Sequence, residues 1–171
     1  RSATVYATAR SEKALNDLAA SVKSDTGVIH PIVLDQSDDS AVKKFIAVVM
    51  EKEGRIDLLV NSAYGGLKAM TPHFGKPFWE RPISVFDASI DIGLRSAFVS
   101  SAIVAPHMVS QKSGLIVQVS SFGGHSYLFD VGYGVGKAGL DRLSADMATE
   151  LNEHGVRSLT LYPGGAVTEI A

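Results

Sequence analysis

A tyrosine, a lysine and a nearby serine have the residue types and spacing for proton-transfer chemistry. Tyr133 and Lys137 are four residues apart, so on a helix both side chains lie on one face. An ammonium about 4 Å from a phenol, at an effective dielectric of about 20, contributes roughly 4 kcal/mol to forming the phenolate. Burial opposes this effect, so the pKa of the tyrosine falls by at most about three units. Tyr133 is therefore predicted to act as a general acid or base, with Ser121 holding the oxygen of a carbonyl that accepts hydride.

An alternative is that the same segment is a flexible loop rich in glycine. Each helical glycine costs about 1 kcal/mol against alanine, and the segment has four: Gly132, Gly134, Gly136 and Gly139. Residues 134–139 also match G-x-G-x-x-G, but a dinucleotide fingerprint needs a strand before it and an acid after the next strand. The next predicted strand ends at Tyr162 and Pro163, without an acid. A P-loop is disfavoured because Val131 and Ala138 stand where glycine and Ser or Thr are required.

Composition excludes several other classes of protein. The chain has 171 residues, of which 46% are hydrophobic and 20% charged, as in a single globular domain. A net charge of −2 makes nucleic acid a poor partner. The lack of cysteine excludes disulfides, thiolate catalysis and cysteine-bound zinc, and the five histidines have no metal-ligand spacing. Apolar runs such as 97–105 are too short and too rich in serine to predict a transmembrane segment.

Predicted strands alternate with predicted helices along the chain, which indicates an α/β fold with a parallel sheet and helices on both faces. The predicted strands cover 4–8, 28–34, 56–60, 115–119 and 156–162. The predicted helices cover 11–24, the residues from the cap cluster 37–40 to Gly54, 84–111 with a bend at Pro106, and the residues after Val131. A polar loop is expected over 65–82. We predict one domain, 1–171, with its ligands at the carboxyl ends of the strands.

Five motifs, in order and spacing, resemble those of the short-chain dehydrogenase/reductase family over nearly the whole chain. They are Asp35, Asn61-Ser62-Ala63-Tyr64, Ser121, Tyr133-x-x-x-Lys137, and Pro163-Gly164 with Thr168. Residues 78–82 and 93–95 are similar to one branch of that family. The resemblance implies a Rossmann-like, doubly wound parallel sheet. It also implies a first strand and a glycine-rich loop ahead of Thr4, with that strand lying in the sheet between the strands at Thr4 and Ile56. Two alternatives follow: either the native protein is longer, or this copy has lost the segment and is not an enzyme.

The resemblance also implies a role for each motif residue. Ser121 would orient the carbonyl, Tyr133 would exchange its proton, and Lys137 would lower the pKa of the tyrosine and hold the nicotinamide ribose. The implied cofactor-binding residues are Arg10, Asp35, Asn61, Ala63, Tyr133, Lys137, Pro163, Gly164 and Thr168. Asp35 would contact the adenine. The first strand ends at Arg10 without an acid, which favours NADP(H) over NAD(H).

Two functions are compatible with these motifs. The first is an oxidoreductase that transfers hydride between NADP(H) and a ketone or aldehyde, with steroid-like or xenobiotic carbonyls as the class implied by the branch. It would form a homo-oligomer through the helices after Ser84 and Val131, in the cytoplasm or an organelle. The second is a catalytically silent structural subunit of a larger assembly. Two features favour the second: the glycine-rich loop that would hold the pyrophosphate is not among residues 1–171, and Gly93 stands where the family often has an asparagine that holds a water. Water alone or Asp91 would then have to substitute for that asparagine.

Overall fold

The computed structural model describes residues 3–22 and 27–164, and they cluster into two compact units. The first unit is Arg1–Val42 and the second is Lys43–Ala171.

The first unit consists of two parallel strands with a helix between them. Strand β1 is Thr4–Ala9 and β2 is Val28–Val33, paired in parallel from Thr4 opposite Val28 to Ala9 opposite Val33. Helix α1, Glu12–Ser21, begins after Ser11, whose hydroxyl accepts a hydrogen bond of 3.2 Å from the Ala14 amide. This confirms the cap that the sequence predicts at Ser11.

Helix α2, Asp39–Glu53, begins in the first unit and continues into the second. The Asp38 carboxylate accepts hydrogen bonds from the amides of Ser40 and Ala41, which satisfies free N–H groups of the first turn. The spacing i, i+3, i+4, i+7 predicts one helical face formed by Val42, Phe45, Ile46 and Val49. Val42, Ile46 and Val49 are buried, and Phe45 is half-buried.

The second unit contains a three-stranded parallel sheet in the order β3-β4-β5. The strands are β3 (Leu58–Asn61), β4 (Gly114–Val119) and β5 (Val156–Leu161). The helices are α3 (Gly66–Met70), α4 (Ile83–Ser89), α5 (Ser96–Gln111) and α6 (Val131–Leu151). Ile116, Val117 and Val156 form the buried centre of this sheet. The predicted α/β class with parallel strands is confirmed, and the described strands form two sheets.

Two local predictions were wrong in detail. The predicted loop at 65–82 contains α3 and two single-turn 3-10 helices, Thr71–His73 and Phe78–Glu80. The predicted long helix is divided by a π-helical turn, Ile90–Arg95, which the sequence did not indicate; Pro106 lies inside α5, and the bend expected there stays a prediction. At this turn Ile92 has non-helical angles (φ −107°, ψ 67°), and its carbonyl accepts a hydrogen bond of 2.6 Å from the Gly65 amide. This tertiary contact therefore lies inside the π-helical turn that separates α4 from α5.

By length and apolar composition alone, the stretch Ile83–Gln111 could cross a membrane, contrary to the expectation from the shorter apolar runs. A single helix of this kind is weak evidence for a transmembrane segment, because the core helices of soluble proteins can be equally long and apolar. Within the second unit, α5 packs against β3, β4 and α6.

Close packing of α6 explains why a helix tolerates so many glycines. A Cβ on Gly132 would lie 3.2 Å from the Phe86 Cα, and one on Gly136 would lie 3.3 Å from the Ser89 carbonyl oxygen. Both neighbours belong to α4, so the two backbones approach more closely than larger residues allow. The contact offsets the unfavourable helix propensity of glycine. The segment is therefore a helix rather than a flexible loop, and the G-x-G-x-x-G match lies inside it.

A buried ion pair fixes the first turn of α6. One oxygen of Asp130 caps the helix by accepting a hydrogen bond of 2.7 Å from the Tyr133 amide. The other carboxylate oxygen accepts one of 2.9 Å from Arg81 Nη1. The two side chains are only 3% and 6% exposed. Arg81 Nε also donates to the Lys76 carbonyl, so the cap is tied to the segment ahead of α4.

We predict that Asp130→Asn in the full-length protein lowers the free energy of unfolding by about 3 kcal/mol or more. Asparagine can still cap the helix, but the Arg81 guanidinium loses its counter-charge while it stays buried. The matched control is Asp146→Asn, which removes an exposed pair with Arg142 on the same helix and should cost about 0.5 kcal/mol or less. Equal losses in urea denaturation would contradict the prediction.

We also predict that Gly136→Val destabilises the protein by about 2 kcal/mol, because the new side chain meets the Ser89 carbonyl of α4. Ala138→Val, two residues along at an exposed position of α6, is the control and should cost less than about 1 kcal/mol. Urea denaturation measures both changes, and a Gly136→Val protein as stable as wild type would refute the close-packing account.

Candidate functional site

Two consecutive serines follow β4 and have different environments. Ser120 is buried, and its hydroxyl donates a hydrogen bond of 3.2 Å to the Lys137 carbonyl. Ser121 is half-buried and accepts a hydrogen bond of 3.1 Å from the Gly123 amide. The Ser121 hydroxyl proton is not donated to any described residue. Of the two serines, Ser121 is thus the one able to donate to a ligand.

The turn after Ser121 lies directly against α6. It forms a single 3-10 turn, Phe122–Gly124, capped by the Ser121 hydroxyl. A Cβ on Gly123 would lie 2.5 Å from the Tyr133 Cε1, and one on Gly124 would lie 2.9 Å from the Ala138 amide nitrogen. Only glycines permit this approach, which places the turn that Ser121 caps against the Tyr133 ring.

The Lys137 ammonium is buried at the base of this site. It donates a hydrogen bond of 2.9 Å to the Val119 carbonyl at the end of β4. It also lies 5.2 Å from the centre of the Tyr64 ring and 5.7 Å from that of Tyr133. Burial lowers the pKa of Lys137, and the negative charge of Asp141 partly opposes that shift. Two of the three ammonium protons are not donated to any described residue, so they are available to a ligand.

The Tyr133 ring is held between two other aromatic rings. It meets Tyr64 edge-to-face, with centroids 5.5 Å apart and planes at 87°, and Phe129 at 5.1 Å and 84°. These geometries are the favourable ones for aromatic pairs. Among the described residues its hydroxyl has no hydrogen-bond partner, so it can meet a ligand. The three predicted catalytic residues, Ser121, Tyr133 and Lys137, are thus brought together in the second unit.

Tyr64 belongs to this cluster, and the sequence reasoning did not identify it as functional. Its hydroxyl forms a hydrogen bond of 3.0 Å with the Ser89 hydroxyl. Burial raises the pKa of Tyr64 to about 12, so the phenol stays neutral at physiological pH. A signal was present in the sequence: residues 61–64 resemble the family's Asn-Asn-Ala-Gly motif, and Tyr64 stands where that motif has glycine.

The predicted cofactor residues at the end of β3 have separate environments. Asn61 donates from its amide nitrogen to the Ala97 carbonyl at 3.3 Å and to the Ser101 hydroxyl at 3.0 Å, which anchors the end of β3 on α5. Gln118, its neighbour on β4, donates to the same hydroxyl. Ala63 is exposed and lies just beyond the strand.

The predicted residues after β5 are only partly described. Pro163 and Gly164 follow the strand and are exposed, and Gly164 has a φ of +72°, which favours glycine. Thr168 lies outside the described residues. Tyr162, just before this turn, shares a hydrogen bond of 3.1 Å with His125. Desolvation, followed by the nearby Asp141, raises the pKa of Tyr162 to about 12.

Arg10 and Asp35 lie in the first unit, at the carboxyl ends of β1 and β2, and both are exposed. One oxygen of Asp35 accepts hydrogen bonds from the Ser37 amide at 2.9 Å and the Ser37 hydroxyl at 2.8 Å. These bonds, helped by the positive charge of Arg10, lower the pKa of Asp35. No group of three or more residues able to hold a metal occurs among the described residues.

Comparison with known proteins gives this site a context. The chain is 46% identical over 169 residues to "Dehydrogenase/reductase SDR family member 1" of Mus musculus, covering 98% of this chain and 54% of that protein. The chain thus spans about half the length of this relative. It is also similar to the crystal structure of a metagenomic short-chain oxidoreductase in complex with NADP, with 30% identity and a TM-score of 0.84, covering 95% of this chain and 72% of that one.

A second solved structure has the same fold. It is a short-chain dehydrogenase from Streptomyces avermitilis, with 30% identity and a TM-score of 0.82, covering 98% of this chain and 58% of that one. The family model for short chain dehydrogenases matches residues 1–171. The α/β fold, the Ser–Tyr–Lys cluster and these matches agree, and the chain belongs to the short chain dehydrogenase family of oxidoreductases.

Proposed function

We propose that the full-length protein transfers hydride between NADP(H) and the carbonyl or alcohol carbon of a ketone or aldehyde. The observation that carries this proposal is the convergence of Tyr133, Lys137 and Ser121 at the carboxyl end of β4. The closest substrate class we can name is a steroid-like or xenobiotic carbonyl, which rests on the resemblance to one branch of the family.

The residues of the site fit a nicotinamide cofactor and a carbonyl. A ribose hydroxyl needs a donor, and the Lys137 ammonium keeps two protons uncommitted among the described residues. A carbonyl oxygen can accept two hydrogen bonds. The hydroxyl protons of Ser121 and Tyr133 are not donated to any described residue, so both are available to it. When bound, the nicotinamide supplies the hydride.

The protein's own residues supply the proton and the orientation. Ser121 donates a hydrogen bond to the carbonyl oxygen and holds it near the Tyr133 hydroxyl. Tyr133 donates its proton to that oxygen as negative charge develops there, and in the reverse direction it accepts the proton from an alcohol. Lys137 lies near the ring of Tyr133, so its positive charge stabilises the phenolate that remains.

The preference for NADP(H) rests on the residue after β1. Arg10 is exposed at the end of that strand and can pair with a 2′-phosphate, whereas an acid at this position would select the 2′-hydroxyl of NAD. Asp35, Asn61, Ala63, Pro163, Gly164 and Thr168 are proposed as further cofactor-binding residues on the resemblance. That the protein forms a homo-oligomer, and that it lies in the cytoplasm or an organelle, also stay predictions.

A second candidate is a catalytically silent subunit of a larger assembly. Large exposed apolar side chains around α4 favour it, since such patches often mark interaction surfaces. Trp79 is 72% exposed and Ile83 is 76% exposed. Turnover of a ketone panel with NADPH by the full-length protein distinguishes the two candidates, because only the enzyme consumes NADPH.

We predict that Tyr133→Phe lowers kcat by about 100-fold or more, because the variant keeps the ring and loses the proton donor. Binding of NADPH, measured by fluorescence titration, should persist. Tyr127→Phe is the matched control and should keep wild-type turnover, since Tyr127 is 76% exposed. Turnover that survives Tyr133→Phe would defeat the mechanism.

We predict that Arg10→Ala raises KM for NADPH roughly tenfold, because a charge-assisted hydrogen bond to the 2′-phosphate is lost. KM for NADH should not change. Lys13→Ala removes an equal charge from the exposed face of α1 and serves as the control. Equal increases in KM for NADPH and for NADH would argue against a role for Arg10 in selecting NADP(H).

A further inference from the structure

The ring of Tyr64 occupies a defined place between α4, the π-helical turn and α6. Its hydroxyl is bonded to Ser89 of α4. A Cβ on Gly66 would overlap that pair of hydroxyls, and a Cβ on Gly93 would lie 3.3 Å from the Tyr64 Cδ2. Two glycines therefore leave the space that the Tyr64 side chain fills, one at the hydroxyl and one at the ring.

Gly93 faces this ring, whereas Asp91 is exposed. The side chain that occupies the space in front of Gly93 is thus Tyr64. The short link from β3 to α3 is also fixed there, because the Gly65 amide donates to the Ile92 carbonyl. Tyr64 is held at its hydroxyl, at its ring and through the next residue of its backbone.

The same ring contacts both proton-handling groups of the site. It is edge-to-face with Tyr133, and its centroid lies 5.2 Å from the Lys137 ammonium. The ammonium is 5.7 Å from the centroid of Tyr133, so it lies close to both tyrosine rings. An ammonium within about 6 Å of a ring centroid is attracted by the ring quadrupole, and the attraction strengthens when water is excluded.

We propose that Tyr64 is a positioning residue, whose ring holds the Lys137 ammonium beside Tyr133. Lysine has four rotatable side-chain bonds and here a single hydrogen bond to a described residue, at the Val119 carbonyl. That bond fixes one side of the ammonium. The Tyr64 ring attracts the ammonium from another side through its quadrupole, without adding a second hydrogen-bond acceptor. This inference rests on the proposed function for its catalytic consequence but not for the contact itself.

The ammonium faces three titratable groups: Tyr64 and Tyr133 through their rings, and Asp141 through its charge. Tyr64 stays neutral, since burial raises its pKa to about 12. The ring favours the charged form of Lys137, whereas burial disfavours it. Replacing Tyr64 by an apolar residue without a ring, such as leucine, is therefore expected to lower the pKa of Lys137.

The first test needs no turnover. In the full-length protein, the labelling rate of Lys137 by trinitrobenzenesulfonate is measured against pH by peptide mass spectrometry for wild type, Tyr64→Phe and Tyr64→Leu. We expect Tyr64→Leu to move the midpoint to lower pH and to raise the rate at neutral pH about threefold or more. Tyr64→Phe keeps the ring and should stay within about twofold of wild type. Tyr127→Leu is the matched control, since Tyr127 is exposed.

The second test uses the pH dependence of kcat with NADPH and a ketone. Tyr64→Leu should lower kcat and displace the profile, and Tyr64→Phe should restore both, whereas a purely structural role would leave the profile unmoved. Circular dichroism confirms that each variant is folded; if Tyr64→Leu does not fold, Tyr64→Met takes its place. Identical labelling curves for wild type and the ring-free variant would overturn the inference. Absence of turnover in wild type, with labelling that still responds to Tyr64, would overturn the proposed function alone.

Discussion

The arrangement of the site depends on one buried cation. The Lys137 ammonium has left bulk water, which is costly unless polar or polarisable groups replace the lost hydration. The replacements are the Val119 carbonyl, the faces of two tyrosine rings and the more distant charge of Asp141. Since these groups come from β4, from the segment after β3 and from α6 itself, the position of one ammonium constrains how these three parts fit together.

Glycine makes this convergence possible. In α6 it lets the helix backbone approach α4, and in the turn after Ser121 it lets the loop lie on the Tyr133 ring. At Gly66 and Gly93 it leaves room for Tyr64. A glycine in a helix lowers the stability of that helix. The close contacts that these glycines allow between elements offset this cost. The buried Arg81–Asp130 pair then fixes where α6 begins, and it thereby fixes the position of Tyr133 in the first turn of that helix.

Membership of the short chain dehydrogenase family explains why a serine, a tyrosine and a lysine meet at the end of a parallel strand. The branch-like residues 78–82 and 93–95 lie just ahead of α4 and in the π-helical turn, respectively. Both segments border the packing that supports the tyrosines.

Much of the fold was predictable from sequence, because alternation of β-branched runs with apolar 3.6-residue periodicity is a local property. Val42, Ile46 and Val49 identified the buried face of α2, and the spacing of Tyr133 and Lys137 placed both on one helix. The sequence alone did not indicate the π-helical turn that separates α4 from α5, or that glycines in α6 were packing sites. It also did not reveal Tyr64 as a partner of Lys137. Each of these depends on which residues distant in the chain come within a few ångströms, and only the tertiary structure decides that.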